Sequence, residues 1–156
     1  MPAIRDDNRH EPALSWVLTA LSAVEKQLHD GLGLALSEVD ATVEQWRVLD
    51  LVSKLGAPTM GELASASDMA NASLSRVIDA LEDTASVFRL PSPEDRRRIT
   101  VQLSEHGTAR LARMSSVVSA WEQLTQARLG TETVHALRLA IDLCGERLEL
   151  HHRLPV

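Results

Sequence analysis

Three adjacent arginines, Arg96, Arg97 and Arg98, follow Pro93-Glu94-Asp95 between two short apolar runs. Guanidinium groups on a projecting turn can donate several hydrogen bonds at once, and their planar shape suits the narrow, strongly negative minor groove of a duplex. Upstream, Asn71, Ser73, Ser75 and Arg76 lie opposite an apolar stripe. Short polar side chains at a helix N-terminus reach base edges, the helix dipole favours a nearby phosphate, and Arg76 can bond a phosphate or a guanine. A polar helix face beside a basic hairpin is a shape for binding duplex DNA. Each half has a plainer alternative: a solvated helix face, and a tip on which Glu94 and Asp95 merely neutralise the arginines. Asp95 would repel phosphate if free, but paired with Arg97 it would hold that guanidinium extended.

The elements that position these groups follow from local chemistry. Thr59 and Glu62 form a capping box ahead of Leu63 and Ala64, which predicts a short helix from just after Pro58 to about Ser67. Leu74, Val77, Ile78 and Leu81 recur at three- and four-residue spacing, which predicts a second helix from about Ala70 to Asp83. Val87, Phe88 and Leu90, then Ile99, Val101 and Leu103 alternating with Arg98, Thr100 and Gln102, predict a strand-turn-strand unit with one buried face. Pro91 and Pro93 favour a tip that projects rather than pairs.

The order Gln45-Trp46 with Val48 and Leu49, Thr59-x-x-Glu62-Leu63-Ala64, Leu74-Ser75-Arg76-Val77-Ile78-Asp79-x-Leu81-Glu82, Arg89, Asp95-Arg96-Arg97 and Val101-x-Leu103-Ser104-x-x-Gly107 closely resembles the MarR family of winged helix-turn-helix regulators. The resemblance covers Gln45 to Gly107 motif by motif and the flanking helices by length and order. It implies a mainly α fold with a small β-hairpin wing, an obligate dimer, a recognition helix in the major groove and a wing arginine in the adjacent minor groove. On that likeness Arg97 takes the minor-groove role, Asp95 supports it, and Asn71, Ser73, Ser75 and Arg76 fall on the recognition helix. Three departures stand out. Ala85-Ser86 replaces the usual Gly-Leu before the wing, where alanine adopts the left-handed conformation at a cost of roughly 1 kcal/mol or avoids it by another turn. Alanine at position 70 leaves Asn71 or Asp68 to cap the recognition helix, or leaves it uncapped. Ser104 replaces a threonine ahead of Gly107 and can cap as well.

Elsewhere, Pro12 suits a first helical turn, and Leu14, Val17, Leu18, Leu21, Val24 and Leu28 mark an apolar face out to an expected break at Gly31 and Gly33. Trp16 lies beside that face, suited to packing or to lining an effector pocket. Thr42 and Gln45 cap a helix through Trp46, Leu49, Val52 and Leu55 that ends near Gly56. Ser104 caps a long helix carrying Leu111, Met114, Val118, Trp121 and Leu124 to Gly130, and Thr131 starts a last helix bearing Val134, Leu137, Ile141, Cys144 and Leu148. One DNA-binding unit cannot cover three apolar helices, so a second copy should.

Composition narrows the alternatives. Aromatic residues are 3% with no tyrosine, which disfavours a base-stacking platform for single strands or RNA. The net charge of −6 disfavours nonspecific polyanion binding, although four arginines from Arg89 to Arg98 face only Glu94 and Asp95. No phosphate loop or nucleophile elbow appears, so no enzyme activity and no cofactor are expected. His10, His29, His106 and His135 are scattered, and the adjacent His151-His152 lack two-histidine helical spacing, so no metal is expected. The single Cys144 is expected as a buried small hydrophobe. No stretch suits a membrane span and Met1 to Arg9 is too polar for a secretory signal, so the expected location is the cytoplasm.

These readings divide the chain into residues 1–38, an N-terminal arm and dimerisation helix; 39–104, the winged helix-turn-helix; and 105–156, the C-terminal dimerisation helices. The function expected is a homodimeric regulator that binds a pseudo-palindromic operator in double-stranded DNA as a repressor, releasable by a small-molecule effector. The alternative is a winged-helix interaction or scaffold module whose altered wing no longer binds DNA.

Overall fold

The computed structural model describes residues 13–67, 69–92, 95 and 97–148. Six helices and a two-stranded antiparallel hairpin are ordered α1 (Leu14–Ser37), α2 (Val43–Leu55), α3 (Met60–Ser67), α4 (Asn71–Asp83), β1 (Val87–Pro91), β2 (Ile99–Leu103), α5 (Glu105–Leu129) and α6 (Thr131–Arg147). The chain divides into two compact units, one ending at Gly31 and one beginning at Leu32. In the first unit the helix leaves Leu14, Trp16, Leu18, Leu21 and Val24 exposed. Lys26 and Asp30 pair at 2.7 Å one turn apart, which raises the lysine's pKa through that hydrogen bond.

The expected break at Gly31 and Gly33 does not occur. α1 continues to Ser37, because Leu32 and Leu36 of the second unit are buried and their packing outweighs the weak helix preference of glycine. α1 closes in a left-handed turn at Asp40 (φ 52°), where Ala41 N–H donates to Leu36 O and Asp40 N–H to Ser37 O.

One core organises the second unit. Leu36, Val43, Val48, Leu49, Leu63, Leu74, Ile78, Leu81, Val101 and Met114 are all buried, so α2 to α5 and the hairpin share a single apolar interior. Both expected capping boxes form. Thr42 and Gln45 exchange two bonds of 3.2 Å, while Thr59 N–H donates to Glu62 at 2.7 Å and Glu62 N–H to the Thr59 hydroxyl at 3.3 Å. The hairpin pairs Val87 with Leu103, Arg89 with Val101 and Pro91 with Ile99. Its burial departs from strict alternation: Thr100 is buried, its hydroxyl donating to Leu90 O, while Ile99 is exposed where the pair runs beyond the core. Val101 N–H donates to Pro58 O, which ties the hairpin to the start of α3.

α6 behaves differently, since none of its residues is buried. Cys144, expected inside, is exposed in this single chain because nothing covers the face that carries it.

Candidate nucleic-acid interface

α4 buries Leu74, Ile78 and Leu81 and turns Asn71, Ser73 and Arg76 to solvent, with Ser75 half-buried. Its N-cap is Ala70, which makes no side-chain cap bond, and Asp68, one of the two residues expected to cap it, lies outside the described residues. At its other end Ala85 adopts the left-handed conformation, with φ 51°. Ser86 N–H donates to Leu81 O at 2.8 Å and Ala85 N–H to Glu82 O at 2.7 Å, the paired bonds of a Schellman closure normally served by glycine.

The wing leaves that closure and is fastened at its root. Arg89, in the middle of β1, bonds Glu82 and, at 2.8 Å, Asp79; both carboxylates lie on α4 one turn apart. Its main-chain N–H also donates to Glu82. Arg89 is therefore a clamp between hairpin and helix rather than part of a free basic tip. Arg98 turns back to Glu62 of α3 at 3.4 Å. The Glu62 carboxyl is held below the usual carboxylate range, first by its hydrogen bond from the Thr59 amide, then by the Thr59 hydroxyl, with Arg98 contributing less.

Near the tip Asp95 does not grip the Arg97 guanidinium. Its carboxylate accepts the main-chain N–H of Arg97 at 3.0 Å, and Arg98 N–H donates to Asp95 O, so the aspartate shapes the turn. Arg97 is exposed, and among the described residues its guanidinium has no carboxylate partner. Arg96 lies outside the described residues, as do Asp68, Pro93, Glu94, His10, His151 and His152. Trp16 is 63% exposed, and an open groove beside the wing is lined by Leu55, Thr59, Gly61, Glu62, Ser65, Ala66 and Arg98.

Two positioning features escaped the sequence. Gly107 abuts the α4 closure so closely that an added Cβ would lie 1.8 Å from Ser86 O. Arg110 is buried one turn further along α5, with burial pushing its guanidinium pKa down. Gly107, Arg110, Leu111, Met114 and Val118 share one buried stripe, and that spacing was the available signal for Arg110.

A helix-turn-helix followed by a two-stranded wing defines the class of winged helix-turn-helix proteins, here with the wing clamped to the second helix of the motif. Residues 41–99, the winged unit, match the model of the MarR family, and the relatives and solved structures that the chain resembles are transcriptional regulators. It is 23% identical over 154 residues to the transcriptional repressor IacR of Pseudomonas putida, covering 95% of this chain and 92% of that one. A mutant MarR from E. coli complexed with operator DNA superposes with a TM-score of 0.76 at 25% identity, over 82% of this chain and 92% of that one. The transcriptional repressor CouR bound to a 23-mer DNA duplex gives a TM-score of 0.76 at 25% identity, over 85% and 92% of the two chains. No helix among the described residues is long and apolar enough to cross a membrane.

Proposed function

We propose that the protein binds a pseudo-palindromic operator in double-stranded DNA as a homodimer and represses transcription, acting in the cytoplasm and not as an enzyme. The observation that carries this reading is the pairing of the polar face of α4 with the exposed Arg97 on a wing clamped to the same helix. Asn71, Ser73, Ser75 and Arg76 would enter the major groove, and the first turn of α4 would offer its amides to a phosphate. Arg97 would enter the adjacent minor groove, with Asp95 holding the turn beneath it. Arg98, exposed but drawn toward Glu62, and Arg96 would add phosphate contacts. The exposed apolar residues of α6, and separately those of the first half of α1, would each offer a second copy a surface to cover. A small-molecule effector would act on this geometry by changing the separation of the two α4 helices.

The alternative of a module that no longer binds DNA started from Ala85-Ser86. Ala85 nevertheless takes the left-handed turn that glycine would take, which favours an ordinary departure angle for the wing. Replacing Arg97 by alanine is expected to weaken operator binding by about 1–3 kcal/mol and to lower the salt slope by about one ion, leaving the dimer intact. Fluorescence anisotropy across a salt series reads both quantities, and an unchanged affinity would remove the wing from the interface.

A further inference from the structure

Arg110 is 8% exposed, and its guanidinium has four acceptors drawn from the ends of three other helices. One nitrogen donates to the Thr84 hydroxyl at 2.9 Å and the Ser86 hydroxyl at 3.1 Å, both in the closure of α4. The other donates to Asp40 O at 3.0 Å, in the turn after α1, and to the Gln45 side-chain oxygen at 3.3 Å, in the capping box of α2. All four hydrogen-bond acceptors are neutral, each fixed by its own turn or cap, while the Asp40 carboxylate favours the charge from nearby without bonding it. Balancing a charge needs only a carboxylate nearby; this set in addition satisfies a planar fork from several directions at once.

We infer that Arg110 is the positioning residue that sets the angle between α5 and α4, and thereby the half-site spacing that the dimer accepts on DNA. The inference rests on the DNA-binding role proposed above. α4 has thirteen residues, so it is about 20 Å long, and a swing of about 10° at its Arg110 end moves the far end by about 3.4 Å, the rise of one base pair. α5 continues past the winged unit into a stretch where Leu124 is exposed. An error at the Arg110 junction is therefore copied, by symmetry, into the separation of both α4 helices. Among the described residues Arg110 hydrogen-bonds no candidate DNA contact and acts through the helix ends that it joins.

The test uses the duplex that the wild-type dimer enriches from a genomic fragment library, together with versions carrying one base pair more or fewer between the half-sites. Inserting a base pair rotates one half-site by about 35°, which a rigid dimer resists. Wild-type protein is expected to prefer its own spacing by about tenfold or more, the cost of one unfavourable feature in a site. In Arg110→Lys, which keeps the charge but loses the fork, the preference is expected to fall to about twofold. A loss of folded dimer alone would weaken all three duplexes by the same factor and leave the ratio where it was. Should Arg110→Lys fail to fold, the Thr84→Val, Ser86→Ala double variant removes the acceptors at α4 and carries the same expectation. An unchanged ratio in the folded variant overturns the inference, as does a wild-type protein indifferent to spacing. A wild-type protein that enriches no duplex overturns the DNA-binding reading and the inference with it.

Discussion

α4 and α6 carry similar apolar spacing and meet opposite fates. α4 buries Leu74, Ile78 and Leu81 completely, whereas α6 leaves Leu139, Ile141 and Leu143 each about half exposed. The contrast teaches that helical periodicity announces that a face will be covered without saying by what. In α4 the cover is the chain's own core; α6 carries the face proposed above for a second copy, and its Cys144 is exposed.

The contrast can be broken most forcefully at the tightest contact of the winged unit. Gly107→Ala forces a methyl group into Ser86 O, against backbone that cannot swing aside, and is expected to destabilise the fold by about 4 kcal/mol, visible in urea unfolding. A near-normal midpoint would mean that α5 can slide. A second change attacks α6 alone. Leu139→Glu with Leu143→Glu places two charges one turn apart on its exposed apolar surface and is expected to weaken dimerisation by about 3 kcal/mol. Sedimentation should then show monomers whose helix content is little changed; unaltered dimers would assign the interface elsewhere.

Smaller effects sharpen the picture inside the winged unit. Ala85→Gly relieves a left-handed alanine and is expected to stabilise by about 1 kcal/mol in thermal unfolding, since the closure is already formed. The smallest effect is a pH dependence. The Glu62 carboxyl is lowered from 4.5 in the folded state, so its contribution is complete above pH 4.5 and disappears as pH falls through the lower folded value. The stability gap between wild type and Glu62→Gln should therefore close on acidification below pH 4.5. A gap that widened there would show that the carboxylate is not favoured by Thr59.

Much of this architecture was legible because it is local. The capping boxes at Thr42 and Thr59, the stripe of α4, the paired strands and the stop at Gly130 each depend on residues within one or two turns. What was not legible depends on distant partners. Gly31 and Gly33 suggested a break, but buried Leu32 and Leu36 carry the helix through. The polar face of α4 could be listed from spacing, whereas the fate of each arginine could not. Arg98 meets a carboxylate 36 positions away, and Arg110 spans as many as 70 positions to Asp40. Asp95 was rightly tied to Arg97 but to its amide instead of its side chain, a distinction that turns on backbone geometry near the tip.

The clamp at Arg89 bears on how such a protein would find its target. By pairing with Asp79 and Glu82 it offsets one of their two negative charges, and its own charge is committed to them. A molecule of net charge −6 holds weakly to arbitrary sequence. Its search would consist of short visits from solution rather than long one-dimensional scans, with residence prolonged only where both half-sites fit.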